Sequence, residues 1–365
     1  MNKQIITRRA CIVFVAVLFG FICERIYSRF VFGDEERTLH VYNWSDYIAP
    51  EVIEEFEKQN GCKVCIDTFD DNETMLAKIQ AGATGYDIIF PSSYIIPVLK
   101  KNGMIRELDI DKLPNVSTNF DFKFNDALHL DTFKYSIPYA FSITGIAYRK
   151  DKVQLNDKEK NGDFSWNFLM NKSLAGKVCI MNDIREMLGI GLKMIGKSTN
   201  STNENDIASA CKSAISLKKI ARRMDSVEYR VGLVDGSFYA AIAYSSDIFQ
   251  IVQENPDVPI SFVVPSEGSN SSWDEMCITS TSENVDLAHK FINYLYDAQV
   301  AAKNVEYVGS AFPNKGMMKY LHDEIRDNPM VNVPKSIIEK IELIQDVGES
   351  ISTYNKYWDV FMSAH

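Results

Sequence analysis

Two aromatic residues flank a hydroxyl and a carboxylate in the segment Trp44-Ser45-Asp46-Tyr47. The segment follows an alternating apolar stretch with Leu39 and Val41, which predicts a half-buried strand that ends at these side chains. Aromatic faces carry negative quadrupoles and Asp46 carries a full negative charge, so this chemistry suits an organic cation. Core aromatics beside a helix-capping aspartate explain the same residues equally well.

Other strand ends repeat this combination of aromatic, hydroxyl and acidic residues. They are Ser92-Ser93-Tyr94, Asp183 with Glu186, Tyr244-Ser245-Ser246-Asp247, and Trp273-Asp274. Their distribution over both halves of the chain predicts a single site at a cleft. Carboxylates bind ammonium groups and aromatic walls pack against methylene chains, so a linear diamine or triamine would use both.

Alternating strands and helices are predicted to position these residues. The first half predicts strands at 38–43, 62–69 and 86–90 and helices at 51–59, 72–82 and 94–102. The segment 135–149 is predicted to form two extended pieces that cross into a second domain. Further along the chain we expect strands at 177–181, 239–244, 260–264 and 276–279 and helices at 206–222 and 287–296. This order predicts an α/β fold with mostly parallel sheets.

Size and charge restrict the function further. A chain of 365 residues with 46% hydrophobic residues is long enough for two domains, each with its own core. The net charge is −10, and residues 1–23 contribute +3 from Lys3, Arg8 and Arg9, so the remainder stands at −13. Without a basic cluster, nucleic acid is a poor partner and cations are a better one.

The N-terminus is predicted to direct export. Residues 1–9 are basic, and the apolar run Ala10–Cys23 is too short for an ordinary membrane span but typical of a signal-peptide core. We expect a periplasmic protein held at the membrane by residues 1–23, either through a lipid on Cys23 or through an uncleaved anchor. Residues 24–37 would form the tether.

Three motifs could indicate other functions, namely phosphate binding, zinc binding and glycoside hydrolysis. Gly191–Ser198 matches the phosphate-loop pattern, but its apolar spacing is helical and Gly196 suits a helix C-terminus. Cys62 and Cys65 lack partners for a zinc site and read as separate packing residues. Asp183 and Glu186 could form the acid–base pair of a glycoside hydrolase, although a solvated helix start accounts for them equally well.

Six longer motifs then carry a family resemblance: YNWSDYIAP (42–50), NETM (72–75), YDIIFPSSY (86–94), YSIPY (135–139), DIRE (183–186) and WDEMCI (273–278). From Leu39 to the last helix, the chain resembles the substrate-binding proteins of bacterial spermidine/putrescine ABC importers. The resemblance implies a type II periplasmic-binding-protein architecture, in which two α/β lobes with mixed, mostly parallel sheets are joined by a hinge. Lobe 1 would comprise 38–142 plus 274–321, and lobe 2 would comprise 143–273 plus 322–361.

The same resemblance implies a function without catalysis or cofactor. The protein would be a monomer that closes on putrescine or spermidine and delivers it to a membrane permease. Residue by residue, it implies ligand contacts for Trp44, Ser45, Asp46, Tyr47, Ser92, Tyr94, Asp183, Glu186, Ser226, Tyr244, Asp247, Trp273 and Asp274.

Three positions depart from the family pattern. Ser272 replaces an aromatic, so that Trp273 is displaced by one residue; Ser310 replaces a tyrosine, and Ile344 aligns with a glutamine. These departures leave the ligand preference open. The alternatives are another small organic cation or another solute, but an amino-acid ligand would need an arginine, and Arg185 is the only one within the predicted site.

Overall fold

The computed structural model describes residues 37–82, 84–122, 124 and 132–364, and this part of the chain contains ten strands. They are β1 (Thr38–Trp44), β2 (Lys63–Phe69), β3 (Ile88–Ile89), β4 (Ile137–Arg149), β5 (Val178–Ile180), β6 (Ala221–Met224), β7 (Ala240–Tyr244), β8 (Ile260–Val263), β9 (Ser269–Ile278) and β10 (Ile341–Leu343).

The strands follow the order β2-β1-β3-β9-β4-β7-β5-β6, with β10 against β9 and β8 against β4. Strand β1 runs parallel to β2 and β3, and β5 runs parallel to β6 and β7. The two parallel groups are connected by β4 and β9, which pair antiparallel with each other. The sheet is therefore mixed, with a parallel group at each end.

Helices cover the sheets, and two of them begin at well-defined N-terminal signals. They are α1 (Pro50–Asn60), α2 (Asn72–Gln80), α3 (Ile96–Lys101), α4 (Pro114–Asn119), α5 (Asp157–Lys160), α6 (Ile184–Met194), α7 (Glu204–Ile220), α8 (Tyr229–Asp235), α9 (Ser245–Glu254), α10 (Val285–Leu295), α11 (Ala298–Val308), α12 (Asp323–Arg326), α13 (Lys335–Ile338) and α14 (Ile351–Ser363). Pro50 occupies the first turn of α1, and the Asp71 carboxylate accepts a hydrogen bond from Thr74 N at the start of α2.

Two large hydrophobic cores lie at the two ends of the sheet. One contains Val41, Phe56 and Ile88 together with residues of α10 and α11. The other contains Ile146, Leu188 and Ile242 together with residues of α7 and α14. Strand β4 contributes Ile137 to the first core and Ile146 to the second, and β9 pairs with it along its length, so the β4–β9 pair links the two α/β lobes.

Two strand predictions are wrong in their limits. Residues 137–149 form one continuous strand rather than two, and all thirteen are buried, so no solvent-facing alternation marks the strand. Strand β9 begins at Ser269 rather than at Met276. Its polar first half resembles a loop in sequence, but the Ser269 hydroxyl donates to Thr144 O, and the buried Asn270 side chain is bonded as well.

The phosphate-loop pattern has the predicted helical context. Gly191 lies within α6, where a Cβ atom would come within 2.3 Å of the Ala210 backbone oxygen of α7. Gly196 follows the helix with φ +70°. Gly191 therefore serves close helix packing and Gly196 a left-handed turn.

The two CxxC cysteines occupy different environments. Cys62 is buried in the first core, as predicted for a packing residue, whereas Cys65 is exposed on the edge strand β2. The packing prediction for Cys65 is therefore wrong, because β2 ends the sheet and leaves much of its surface to solvent.

Residues 1–36 lie outside the described residues, and with them the predicted leader, Cys23 and nearly all of the tether. Within the described ranges, none of the helices combines the length and the apolar character needed to cross a membrane.

The Gly191 contact generates a stability prediction. Gly191→Ala should lower the free energy of unfolding by about 1–3 kcal/mol, because the added methyl group must push α6 away from the backbone of α7. Denaturant unfolding followed by circular dichroism would measure the loss. Ser216→Ala on the exposed side of α7 is the matched control and should change stability little; equal stability of the Gly191→Ala variant and the parent would contradict the close packing.

Candidate functional site

A cavity of about 500 Å³ lies between the two lobes, where the strand ends of both parallel groups meet. Twelve of the thirteen residues predicted to contact a ligand line this cavity, hereafter the cleft: Trp44, Ser45, Asp46, Tyr47, Ser92, Tyr94, Asp183, Glu186, Ser226, Tyr244, Asp247 and Asp274. The strand-end motifs of the sequence thus meet in one place.

Asp274 is buried at the lobe 1 side of the cleft and is held by two hydroxyl groups. Tyr47 donates to its Oδ2 at 2.6 Å, and Ser92 donates to its Oδ1 at 2.7 Å. Asn72, the first residue of α2, in turn donates to the Ser92 hydroxyl at 3.0 Å and accepts from Ser92 N. The carboxylate is therefore fixed in orientation by neutral donors and has no cationic partner among these contacts.

Burial dominates the electrostatics of this carboxylate. Removal from water raises the pKa of Asp274 to about 6, while the hydrogen bonds from Tyr47 and Ser92 act in the opposite direction. Burial and the neighbouring Asp274 also raise the pKa of Tyr47 well above its usual value, so the phenol remains a donor. A cation that entered beside Asp274 would stabilise its ionised form.

A second pair of acids lies on the lobe 2 side, at the start of α6. Asp183 caps the helix by accepting from Glu186 N at 2.9 Å. The Glu186 carboxylate is buried and accepts from Thr144 at 2.8 Å and from Asn270 at 2.9 Å. Burial raises the pKa of both acids, and Asp183 raises that of Glu186 further. The expected solvated helix start is therefore wrong for Glu186, which is 2% exposed.

The third acidic position is Asp247, in the first turn of α9. Its carboxylate accepts a hydrogen bond from Tyr229, and burial raises its pKa, while the nearby Arg230 partly offsets this effect. The Arg230 guanidinium is bonded to Gln250 at 2.8 Å. Burial raises the pKa of the Tyr244 hydroxyl well above its usual value, and the negative charges of Glu186 and Asp247 raise it further.

Aromatic side chains complete the lobe 1 wall. Trp44 packs against Phe69 with ring centroids 4.4 Å apart, and Tyr47 packs against Tyr139 at 5.6 Å. Asp46 between them has φ +55°, a left-handed conformation that aspartate tolerates better than bulky residues. This turn lets the Trp44 and Tyr47 side chains line the cleft on either side of Asp46.

Trp273 is the predicted contact that the structure does not bring to the cleft. Successive residues of a strand point to opposite faces, so Ser272 and Asp274 face the cleft and Trp273 faces away. Its ring packs against Phe141 at 4.9 Å and Phe124 at 5.3 Å and is 1% exposed. Trp273 is therefore a core residue here, and the displacement by one position puts a serine in the cleft.

The other two departures also lie at or beside the cleft. Ile344 lines it, and Ser310 is fully buried next to Tyr47. Beyond the predicted contacts, the cleft is lined by Arg185, Ser246, Ser272 and Ile344, which the sequence already marked, and by residues that the sequence did not mark: Phe69, Asp70, Asp71, Asn72, Ser142, Asn182, Asp225, Val227 and Arg230. Of the latter, Asn72 stands inside a motif already singled out, whereas Ser142 becomes visible only through the pairing of β4 with β9.

The sum of these groups is strongly acidic. Asp46, Asp70, Asp71, Asp183, Glu186, Asp225, Asp247 and Asp274 contribute eight carboxyl groups to the lining, against Arg185 and Arg230. The Arg185 guanidinium is already engaged, donating to Gln345 O at 2.8 Å and to Asn200 at 2.9 Å and lying over the Tyr354 ring. Within the described ranges, no three His, Cys, Asp or Glu side chains converge to hold a metal ion. The cleft is equipped for an organic cation.

Comparison with known proteins agrees with this geometry. The family model of bacterial extracellular solute-binding proteins matches residues 51–332. The putrescine-binding periplasmic protein PotF of Escherichia coli K12 is 32% identical over 319 residues, which cover 84% of this chain and 86% of PotF. The spermidine/putrescine-binding periplasmic protein of the same strain is 30% identical, covering 89% of this chain and 92% of that protein.

Solved structures show the same architecture. A spermidine/putrescine ABC transporter protein from Listeria monocytogenes has a TM-score of 0.80 at 34% identity and covers 90% of this chain and all of its own. The Tp0655 (TpPotD) lipoprotein of Treponema pallidum has a TM-score of 0.80 at 28% identity, covering 89% of this chain and 99% of that one. The predicted type II two-lobed α/β fold is confirmed.

The raised pKa of Asp274 predicts how its replacement affects stability. A folded pKa of about 6 lies above the unfolded value, so ionised Asp274 destabilises the ligand-free protein progressively as the pH rises through 4–6. Asp274→Asn removes this term and keeps groups that can pair with Tyr47 and Ser92. The unfolding free energy of the variant minus that of the parent should therefore rise by about 2 kcal/mol as the pH goes from 4.5 to 7.5.

Urea unfolding of ligand-free protein at both pH values measures this difference in unfolding free energy between variant and parent. Asp257→Asn, which removes an exposed carboxylate outside the cleft, is the control and should show a gap that does not change with pH. A pH-independent gap for Asp274→Asn as well would mean that Asp274 ionises in the folded protein as it does in water.

Proposed function

This chain belongs to the bacterial extracellular solute-binding proteins, and we propose that it captures a polyamine in its cleft and delivers it to the permease of an ABC importer. The ligand would be putrescine, spermidine or both, bound as a polycation. The proposal rests on the cleft itself and on relatives whose names state putrescine or spermidine as their ligand.

One observation carries the proposal: Asp274 and Glu186 are two buried carboxylates on opposite lobes, bonded to neutral donors only in the contacts described above. Burial of an ionised carboxylate without a countercharge is costly, and a bound ammonium group supplies that charge. Since one acid lies on each lobe, a ligand with a charged group at each end would bridge them and favour closure.

The aromatic residues suit the uncharged part of such a ligand. Trp44, Tyr47 and Tyr244 line the same cleft as the acids, and aromatic rings favour contact with methylene groups and with cations. An amino-acid ligand fits this site less well. Its carboxylate would need an arginine, and the Arg185 side chain is already bonded to Gln345 O and Asn200. Another small organic cation is the alternative that shares this chemistry.

The protein is proposed to bind rather than to catalyse. Asp183 and Glu186, the acids considered for glycoside hydrolysis, are engaged in a helix cap and in bonds to Thr144 and Asn270. Turnover of a chromogenic glycoside panel would favour the hydrolase instead. The proposed binding function needs no cofactor. It agrees with a monomer that carries an export segment and is attached to the membrane at or before Cys23.

Direct titration tests the function. We expect saturable one-to-one binding of putrescine or spermidine by the full chain, purified in mild detergent and freed of ligand, in calorimetric titration. Asp274→Asn should weaken this binding by about 1.5–3 kcal/mol, the value of a hydrogen bond to a charged group. The control Asp257→Asn should bind like the parent. Unchanged affinity in Asp274→Asn would remove Asp274 from the site, and titration without heat by either polyamine, on folded protein, would refute the ligand class.

Binding should also release protons near pH 6. The ammonium group favours ionised Asp274 and so lowers its pKa from about 6, which means that the ligand-free protein holds a proton that the complex does not. Affinity should therefore fall as the pH drops below 6. Calorimetry at pH 6 in two buffers of different ionisation enthalpy gives the number of protons released on binding. The same number for the parent and Asp274→Asn would contradict Asp274 as the source of the proton.

A further inference from the structure

Strand β4 carries an irregularity next to the cleft, and Tyr139 lies at its centre. Pro138 pairs with Glu275 and Ala140 pairs with Asp274, so Tyr139 is an extra residue that has no partner of its own on β9. Such a bulge turns a side chain out of the regular alternation of a strand. The Tyr139 side chain is fully buried in the first core and does not line the cleft.

The Tyr139 ring is held by aromatic neighbours in lobe 1. Its centroid lies 4.5 Å from that of Phe312, 4.9 Å from that of Phe90 and 5.6 Å from that of Tyr47. The first two contacts are edge-to-face, an arrangement that aromatic pairs prefer. The ring therefore has one defined position, from which its hydroxyl group reaches the turn after β1.

The Tyr139 hydroxyl belongs to a chain of hydrogen bonds whose direction follows from donor and acceptor chemistry. Ala49 N can only donate, and it donates to the Asn304 side-chain oxygen at 2.8 Å. The Asn304 amide nitrogen therefore faces Tyr139 and donates to its hydroxyl at 2.5 Å. Tyr139 in turn donates to the Tyr47 backbone oxygen at 2.5 Å. The chain from Ala49 through Asn304 and Tyr139 to Tyr47 is hereafter the clamp.

The clamp fixes the turn between β1 and α1 at two backbone groups. Asn304, a fully buried residue of α11, holds Ala49 N directly. It holds Tyr47 O through the Tyr139 hydroxyl. The turn also contains Asp46 with φ +55°. Because two of its backbone groups are bonded to buried side chains, the turn places the Tyr47 side chain in one position.

The Tyr47 side chain leads from this turn to the buried acid of lobe 1. Its hydroxyl donates to Asp274 Oδ2 at 2.6 Å. Burial raises the pKa of Asp274, and this hydrogen bond acts against that rise. Burial also raises the pKa of the Tyr139 hydroxyl, the hydrogen bond from Asn304 opposes this effect, and the charge of Asp274 raises the pKa further. The clamp and the acid are thus electrostatic neighbours, although Tyr139 and Asn304 lie outside the cleft.

We propose that Tyr139 and Asn304 are positioning residues for cation capture, which hold the turn after β1 so that the Tyr47 hydroxyl stays on Asp274. This inference rests on the proposed function and adds to it two residues that lie outside the cleft. A merely structural role for the same hydrogen bonds would affect the stability of lobe 1 and leave the ionisation of Asp274 unchanged.

The ionisation of Asp274 is the readout that separates these two roles. Tyr139→Phe removes the hydroxyl and keeps the ring among its aromatic neighbours. With Tyr47 O released, the Tyr47 hydroxyl should move away from Asp274, so the pKa of Asp274 should rise. Carbon-13 NMR titration of aspartate-labelled, ligand-free protein measures this pKa, and Asp274→Asn assigns the signal. Tyr47→Phe removes the donor itself and should raise the pKa of Asp274 at least as much.

A double-mutant cycle shows whether the two tyrosines act in series. If Tyr139 acts through Tyr47, the double variant Tyr47→Phe/Tyr139→Phe should have the Asp274 pKa of Tyr47→Phe alone. Calorimetric titration of the full chain in mild detergent at pH 6, with putrescine and with spermidine, should give the same pattern. We expect about 3- to 10-fold weaker binding for Tyr139→Phe, at least as much for Tyr47→Phe, and no further loss in the double variant.

Tyr294→Phe is the matched control. The Tyr294 hydroxyl also donates to a backbone oxygen of lobe 1, Val52 O at 3.0 Å, but this oxygen lies within α1 rather than in the turn. The control should keep the parental pKa of Asp274 and the parental affinity. Glu275, whose charge also acts on the pKa of Asp274, is left in place in every variant.

A second variant tests the other end of the clamp. Asn304→Ala removes the bonds to Ala49 N and to the Tyr139 hydroxyl and should raise the pKa of Asp274 in the same direction as Tyr139→Phe. Thermal unfolding of each ligand-free variant checks that the fold is kept. If Asn304→Ala does not fold, Tyr139→Phe, which keeps the ring packing, decides alone.

The outcomes separate the positioning role from the proposed function. An unchanged Asp274 pKa in folded Tyr139→Phe, or additive effects in the double variant, would overturn the positioning role while leaving polyamine binding in place. Failure of the folded, ligand-free parent to bind either polyamine would overturn the proposed function, and with it any role of the clamp in cation capture, whatever the NMR titration shows.

Discussion

Buried carboxylates without a cationic partner are the constraint on which the cleft depends. Asp274 and Glu186 each accept two hydrogen bonds from neutral side chains, which orient the oxygens but do not neutralise their charge. The folded protein retains this unfavourable electrostatic term until a cation arrives. Binding then recovers free energy that a solvated acid would not provide, so burial contributes to affinity and selectivity at once.

The β4–β9 pair explains how one element serves both stability and recognition. On one face it presents Ser142, Ser272 and Asp274 to the cleft, and on the other it packs Phe141 against Trp273. Strand β4 contributes residues to both large cores, so the face of the pair that lines the cleft is built into both parts of the sheet.

Much of the fold followed from the sequence because local signals agreed with it. Caps such as Asp71 and Asp183 mark helix starts, and the motifs that follow β1, β3, β5 and β7 gather as the parallel topology requires, whereas Asp274 lies within the antiparallel strand β9. The limits of β4 and β9 did not follow. Thirteen consecutive buried residues in β4 hide the two-residue period, and the polar start of β9 resembles a loop unless its partners Glu186 and Thr144 are known.

The site shows the same division between local and tertiary information. Residue type identified most of the acids and aromatics, but the face that a side chain occupies depends on pairing, and a shift of one residue sends Trp273 to the core. Ser142 and Ser272 carry no chemical signal of their own, since serine is common in loops. They acquire meaning only when the pairing of β4 with β9 places them side by side in the lining of the cleft. Ligand charge can therefore be read from residue types, whereas the neutral side chains that line the cleft beside the acids can be read only from strand register.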